Sequence, residues 1–177
     1  MLNVRRLTEM ENAHKDSWKT QPMPQETAIL SYSEEFSSEE FEKISRGLVP
    51  REMEDKWFIY LDGTTLHLHR SWTGICMYQV ELEEKAGKYA VCRALVNRNP
   101  TQCQATDDVY DSELLHFLVS NLLLSRNVEF PVPGASSSEI PKGIFQHHIS
   151  GTAYPEKPVN TKPSKHATPR KPWWKVW

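Results

Sequence analysis

Glycine is scarce in this 177-residue chain, seven in all, and none falls in a Gly-rich loop of the kind that cradles phosphates. There is no G-x-S-x-G elbow either, so the common sequence signature of a serine hydrolase is missing. Cysteine is scarcer still. Cys76, Cys92 and Cys103 are odd in number and lack C-x-x-C spacing, which argues against a disulfide framework and for reduced thiols. No apolar run is long enough to predict a transmembrane helix, and the opening stretch lacks the apolar core of a signal peptide. Together these absences predict a cytoplasmic protein. The hydrophobic fraction of 38% and mean hydropathy of −0.60 are low, so part of the chain is expected to stay outside any core.

Proline, by contrast, is plentiful, at twelve residues. It marks the ends of a central domain. Gln21-Pro22-Met23-Pro24 closes a polar lead over residues 1–25, read as flexible. Pro131, Pro133, Gly134 and Ser136-Ser137-Ser138 open a Pro/Lys-rich tail over 131–177, read as extended and disordered. Net charge divides along the same line. From Glu156 onward six cations face one carboxylate, a net of +5, which leaves −7 for residues 1–155 out of a total of −2. An acidic body with a basic tail can attract acidic partners locally while the whole stays near neutral.

Between these ends, residues 26–130 read as an α+β domain. Thr27–Tyr32 predicts a short strand. Ser37-Ser38-Glu39-Glu40 is a capping box and predicts a helix over about Ser38–Arg46, stopped by Gly47 and Pro50. Trp57–Leu61, Leu66–His69, Ile75–Glu83 and Tyr89–Val96 predict four strands, the first pair joined at Asp62-Gly63. Asp107 or Asp108 caps a second helix whose Leu114–Leu124 run is too broadly apolar for a surface helix. The expected architecture is two-layered: an antiparallel meander of four to five strands with two helices packed on it.

Few residues point to chemistry. His67, His69 and Ser71 share one face of their strand, and Leu66, Leu68, Arg70 and Trp72 share the other. An H-x-H pair can put two imidazoles on one metal, with a third ligand from Cys76, Cys92 or an aspartate. The simpler reading, adopted here, is that two part-exposed histidines fill polar strand positions, with no metal and no cofactor. Arg70 beside Trp72, with Tyr60, His67 and Arg93, could instead line a cleft for a nucleotide-like ligand. In that case Arg70 is the anion clamp and His67 or His69 the acid/base. Against it stands a core Trp72, with Arg70 paired to Glu81 across the sheet. Asp107, Asp108, Asp111 and Glu113 lack calcium-loop spacing and are explained by a helix N-terminus.

The tail ends in Trp173-Trp174-Lys175-Val176-Trp177, three indoles that a solvated linker does not need. Trp173, Trp174, Lys175 and Trp177 read as a docking peptide for a protein partner. Folding back onto the domain and contact with membrane or nucleic acid are the alternatives. The motif Lys56-Trp57-Phe58-Ile59-Tyr60-Leu61, followed by His67-Leu68-His69-Arg70-Ser71-Trp72-Thr73-Gly74, resembles a pattern in small uncharacterised bacterial proteins associated with ADP-ribose-processing enzymes. The resemblance covers about residues 55–100, implies a nucleotide or ADP-ribose ligand and carries over no catalytic residue. The expected function is a non-enzymatic accessory or regulatory subunit. A small enzyme or binding domain for a nucleotide-like ligand is the alternative.

Overall fold

The computed structural model describes residues 12–103 and 107–131. In chain order these form β1 (Thr27–Ile29), β2 (Glu35–Ser37), α1 (Ser38–Arg46), β3 (Trp57–Asp62), β4 (Thr65–Arg70), β5 (Cys76–Lys85), β6 (Lys88–Asn97) and α2 (Asp108–Phe117). A short π-helical stretch, Leu118–Leu123, continues α2. All strand pairs are antiparallel, and the four long strands form the expected meander. The sheet has six strands rather than four to five, because β6 is flanked by two short ones. Thr27 faces Asn97 at one end of β6, and Phe36 faces Tyr89 at the other. At the far edge Leu48 exchanges backbone bonds with Ile59, so the chain leaving α1 covers part of β3.

Helix α1 starts where its capping box requires. Ser37 Oγ accepts from the Glu40 N–H at 3.2 Å, and a Glu40 carboxylate oxygen accepts from the Ser37 N–H at 3.0 Å. It stops at Gly47, whose φ of +64° suits only a residue without a side chain. A Cβ there would lie 2.3 Å from the Ile59 carbonyl oxygen. Helix α2 is capped by Asp107, which accepts from the Val109 and Tyr110 N–H groups.

Both helices pack on one face of the sheet. Trp57, Ile59, Leu68, Tyr78, Ile44 and Leu115 are among the buried residues of that core. The alternation of side chains sends Phe58 and Tyr60 to the opposite face, where they meet Ala13 in a second, smaller cluster. That cluster is the underside of the chain preceding β1. Among the described residues, no helix is long and apolar enough to cross a membrane.

Candidate functional site

The helix-free face of the sheet gathers the chemistry. Strand pairing aligns Tyr60 with His67 and Gln79, and Phe58 with His69. Between Leu68 and His69 the β4–β5 register slips. Leu68 faces Tyr78, but His69 faces Cys76, so Met77 is the extra residue of a bulge. In regular register Met77 would oppose His69. The bulge instead carries Cys76 onto the histidine face, and Met77 joins the helix-side core.

Three side chains converge as a result. One potential ligand atom from each of His67, His69 and Cys76 lies within 4.8 Å of the others. The Tyr60 ring stacks on His67 at 4.8 Å and on His69 at 5.5 Å between centroids. His69 Nδ1 bonds the Gly74 carbonyl at 2.9 Å, and the Gln79 amide bonds His67 Nδ1 at 3.1 Å. His69 is only 2% exposed, yet its Nε2 has no hydrogen-bond partner among the described residues. The expectation of two part-exposed histidines filling polar positions therefore fails for His69. Cys76 is 1% exposed, and its thiol donates weakly to the Tyr78 carbonyl at 3.7 Å.

Burial sets the protonation of the cluster. It pulls His67 and His69 below the usual imidazole range, and for His67 the neighbouring His69 adds to the effect. Both rings are neutral near pH 7. Burial pushes the Cys76 thiol up to about 12 and the Tyr60 hydroxyl up to about 12. A metal could take Cys76 only by displacing its proton, as metals do at thiol ligands.

The segment ahead of β1 is laid over this corner by backbone bonds that its polar composition does not announce. The Ala13 N–H donates to the Arg46 carbonyl and the Gln21 N–H to the Gly74 carbonyl, at 2.8 and 2.7 Å. Gln21 Nε2 donates to the Thr73 carbonyl at 2.9 Å. Gly74, at φ +76°, would with a Cβ come within 3.0 Å of the Lys19 carbonyl oxygen. The overlay thus needs glycine at that turn. The Gly74 carbonyl serves both His69 and Gln21, which ties the buried cluster to the overlying segment.

On the outside of the same corner, two indoles are held by their N–H groups. Trp18 Nε1 donates to the Ser71 carbonyl at 2.7 Å, and Trp72 Nε1 to the Met53 carbonyl at 2.9 Å. The Lys56 ammonium sits 4.2 Å over the Trp72 ring. Ser71 is buried and fixes the junction. It bonds the Asp55 carbonyl through Oγ and the Lys56 carbonyl through its N–H. Trp72 is 59% exposed and Met53 76%, so the reading of Trp72 as a core residue does not hold.

Of the five residues read as a nucleotide cleft, Tyr60 and His67 meet, and Arg70, Trp72 and Arg93 do not join them. Tyr60 lies in the histidine cluster. Arg70 turns to the opposite face and stacks its guanidinium 4.3 Å over Trp57, near Tyr78 and Tyr110. Arg93 pairs with Glu81 at 3.6 Å, and Glu81 lies opposite Thr65, at the other end of β4 from Arg70. The acidic cluster behaves as a helix start: Asp107 caps α2, and Asp108 and Asp111 hold Arg98 at 2.5 and 2.7 Å. Trp173, Trp174, Lys175 and Trp177 lie outside the described residues.

Sequence reasoning missed a second polar centre. Glu34 gathers Tyr32, His116 and Arg126, and Arg126 also holds Glu40. It borders an open groove of about 530 Å³ between Ser31–Ser33, α2 and Val128–Pro131. The partners are up to 92 residues apart, and no local pattern could have paired them. No protein-family model, curated protein or solved structure matches the chain.

Proposed function

We propose that the protein is a non-enzymatic accessory subunit that docks a protein partner on the corner formed by Trp18, Met53 and Trp72. The observation that carries this reading is Trp72. Its ring is mostly exposed, yet it is fixed by a bond from Nε1 to Met53 and by Lys56 over its face. An exposed indole normally loses rotamer freedom when a partner buries it. Here a hydrogen bond and a cation already hold the ring, so less freedom is left for a partner to remove. Met53 beside it adds an adaptable apolar contact. The terminal Trp173-Trp174-Lys175-Val176-Trp177 peptide supplies a second anchor on a basic tether, and two linked contacts bind more tightly than either alone.

The test uses the full chain as bait in lysate of its own host. Parallel baits carry Trp72→Ala or end at Pro172, and any retained protein is then purified and titrated directly. The reading requires one partner whose affinity falls at least about thirtyfold with Trp72→Ala, the lower end of a hot-spot loss. A partner bound equally well by Trp72→Ala, or none that binds the purified chain, overturns it.

A further inference from the structure

We propose that His67, His69 and Cys76 form a binding site for a zinc-class divalent ion, held through the two Nε2 atoms and the Cys76 sulfur. The residues are a recognised ligand combination for such ions, since imidazole and thiolate both suit a borderline-soft metal. The spacing is close. Bond lengths of 2.0–2.3 Å imply ligand atoms about 3.3–3.7 Å apart around one ion, so contraction by about an ångström closes the site from a separation within 4.8 Å.

Three independent features of the surroundings favour an ion over a purely structural cluster. First, His69 Nε2 is buried without a partner among the described residues, an arrangement that costs stability unless something fills it. Second, the other nitrogen of each ring is already engaged. His69 Nδ1 points at the Gly74 carbonyl, the outer-sphere contact that turns Nε2 towards a metal. Gln79 holds His67 Nδ1, and half a turn of its amide presents an oxygen to Nδ1–H, leaving Nε2 for the ion. Third, the strand bulge is what brings Cys76 opposite His69 at all.

Three protein ligands leave one tetrahedral position for water or another donor. The ion would also fix His69 Nδ1–H on the Gly74 carbonyl, and so brace the turn that Gln21 shares. The site does not depend on the partner-docking reading, and its test needs no partner.

The test titrates the full-length, chelator-treated protein with Co2+, whose thiolate charge-transfer band reports sulfur ligation, and then displaces it with Zn2+. The chain has three cysteines in all, so the band identifies its own source even though histidines also occur in the tail. The expected result is one equivalent of Co2+ with a thiolate band in wild type, Cys92→Ser and Cys103→Ser, and loss of the band in Cys76→Ser. His67 is the more exposed histidine, and His67→Ala should keep the fold by circular dichroism while weakening Zn2+ binding more than tenfold. Absence of the band in wild type, its persistence in Cys76→Ser, or unchanged affinity in His67→Ala overturns the proposal.

Discussion

The face of the sheet under the two helices buries a large aliphatic and aromatic core, whereas the opposite face gathers a buried and a half-buried imidazole, a thiol and a tyrosine ring under a short overlying segment. Both faces come from the same alternating strands. The helix side follows the usual logic: Leu66 and Leu68 are sealed by Ile44 and the Leu114–Leu124 run, and each buried aliphatic side chain contributes about 2 kcal/mol. The histidine side differs in clustering titratable groups around its partnerless nitrogen; the Tyr110 and Ser120 hydroxyls, also buried without a partner among the described residues, stand apart from that cluster, on the helices. A partnerless nitrogen inside a cluster of titratable side chains marks the place to look for function.

Substitutions on the two faces should therefore differ in kind. Leu68→Ala removes a fully buried side chain from the helix-side core, and a loss of about 3 kcal/mol is expected. His69→Leu, one residue along, deletes the partnerless nitrogen and keeps the cavity filled. It also leaves the Gly74 carbonyl its bond from Gln21. In metal-free protein its cost should stay below about 1.5 kcal/mol, one net hydrogen bond, although Zn2+ binding is abolished. Urea denaturation midpoints of both variants, measured with chelator present, decide this. If His69→Leu is as damaging as Leu68→Ala, His69 is a core residue like its neighbours and the contrast between the faces collapses.

A smaller effect sharpens the same contrast. Gln79 touches no ion in the proposed arrangement but orients His67. Gln79→Ala is expected to weaken Zn2+ binding about 10- to 100-fold, the usual range for an outer-sphere partner, with little change in metal-free stability. Gln79→Glu, which keeps an acceptor on Nδ1–H, should restore most of the affinity. Equal affinities in Gln79→Ala and wild type would mean that the His67 ring is positioned by Tyr60 stacking alone.

How much of this was legible beforehand follows from the range of the interactions. Helix α1 was readable end to end, because its capping box and terminal glycine act within ten residues. The four meander strands and α2 were readable for the same reason. Strand β2 was not, since Glu35–Ser37 pairs with β6 some fifty residues away and carries no strand pattern of its own. The π-helical continuation of α2 left no mark that separates it from an ordinary apolar helix. For the histidine face, the H-x-H pair was visible and Cys76 was one of several possible third ligands. Its selection depended on a bulge that has no local signature. Alternation already put Arg70 opposite the histidines, and the structure gives it Trp57 as a stacking partner.

The weakest expected effect lies on the helix side, at the polar rim of its core. The Arg126 guanidinium, bonded to Glu40, holds that carboxyl below the usual carboxylate range, helped by the Ser37 N–H. A carboxyl that binds protons less readily when folded than unfolded makes stability rise with pH. Its contribution is complete above the unfolded value near 4.5 and disappears as pH falls through the lower folded value. Glu40→Gln isolates the charge, because glutamine still completes the capping box. With the Glu40 side chain 29% exposed, the difference between wild type and Glu40→Gln at pH 7 should be under about 1 kcal/mol. It should shrink towards zero in urea titrations at progressively lower pH below 4.5. A gap that stays constant down to pH 3 would mean that the Arg126 contact adds nothing that depends on charge. The Arg126–Glu40 contact would then act through packing and not through charge.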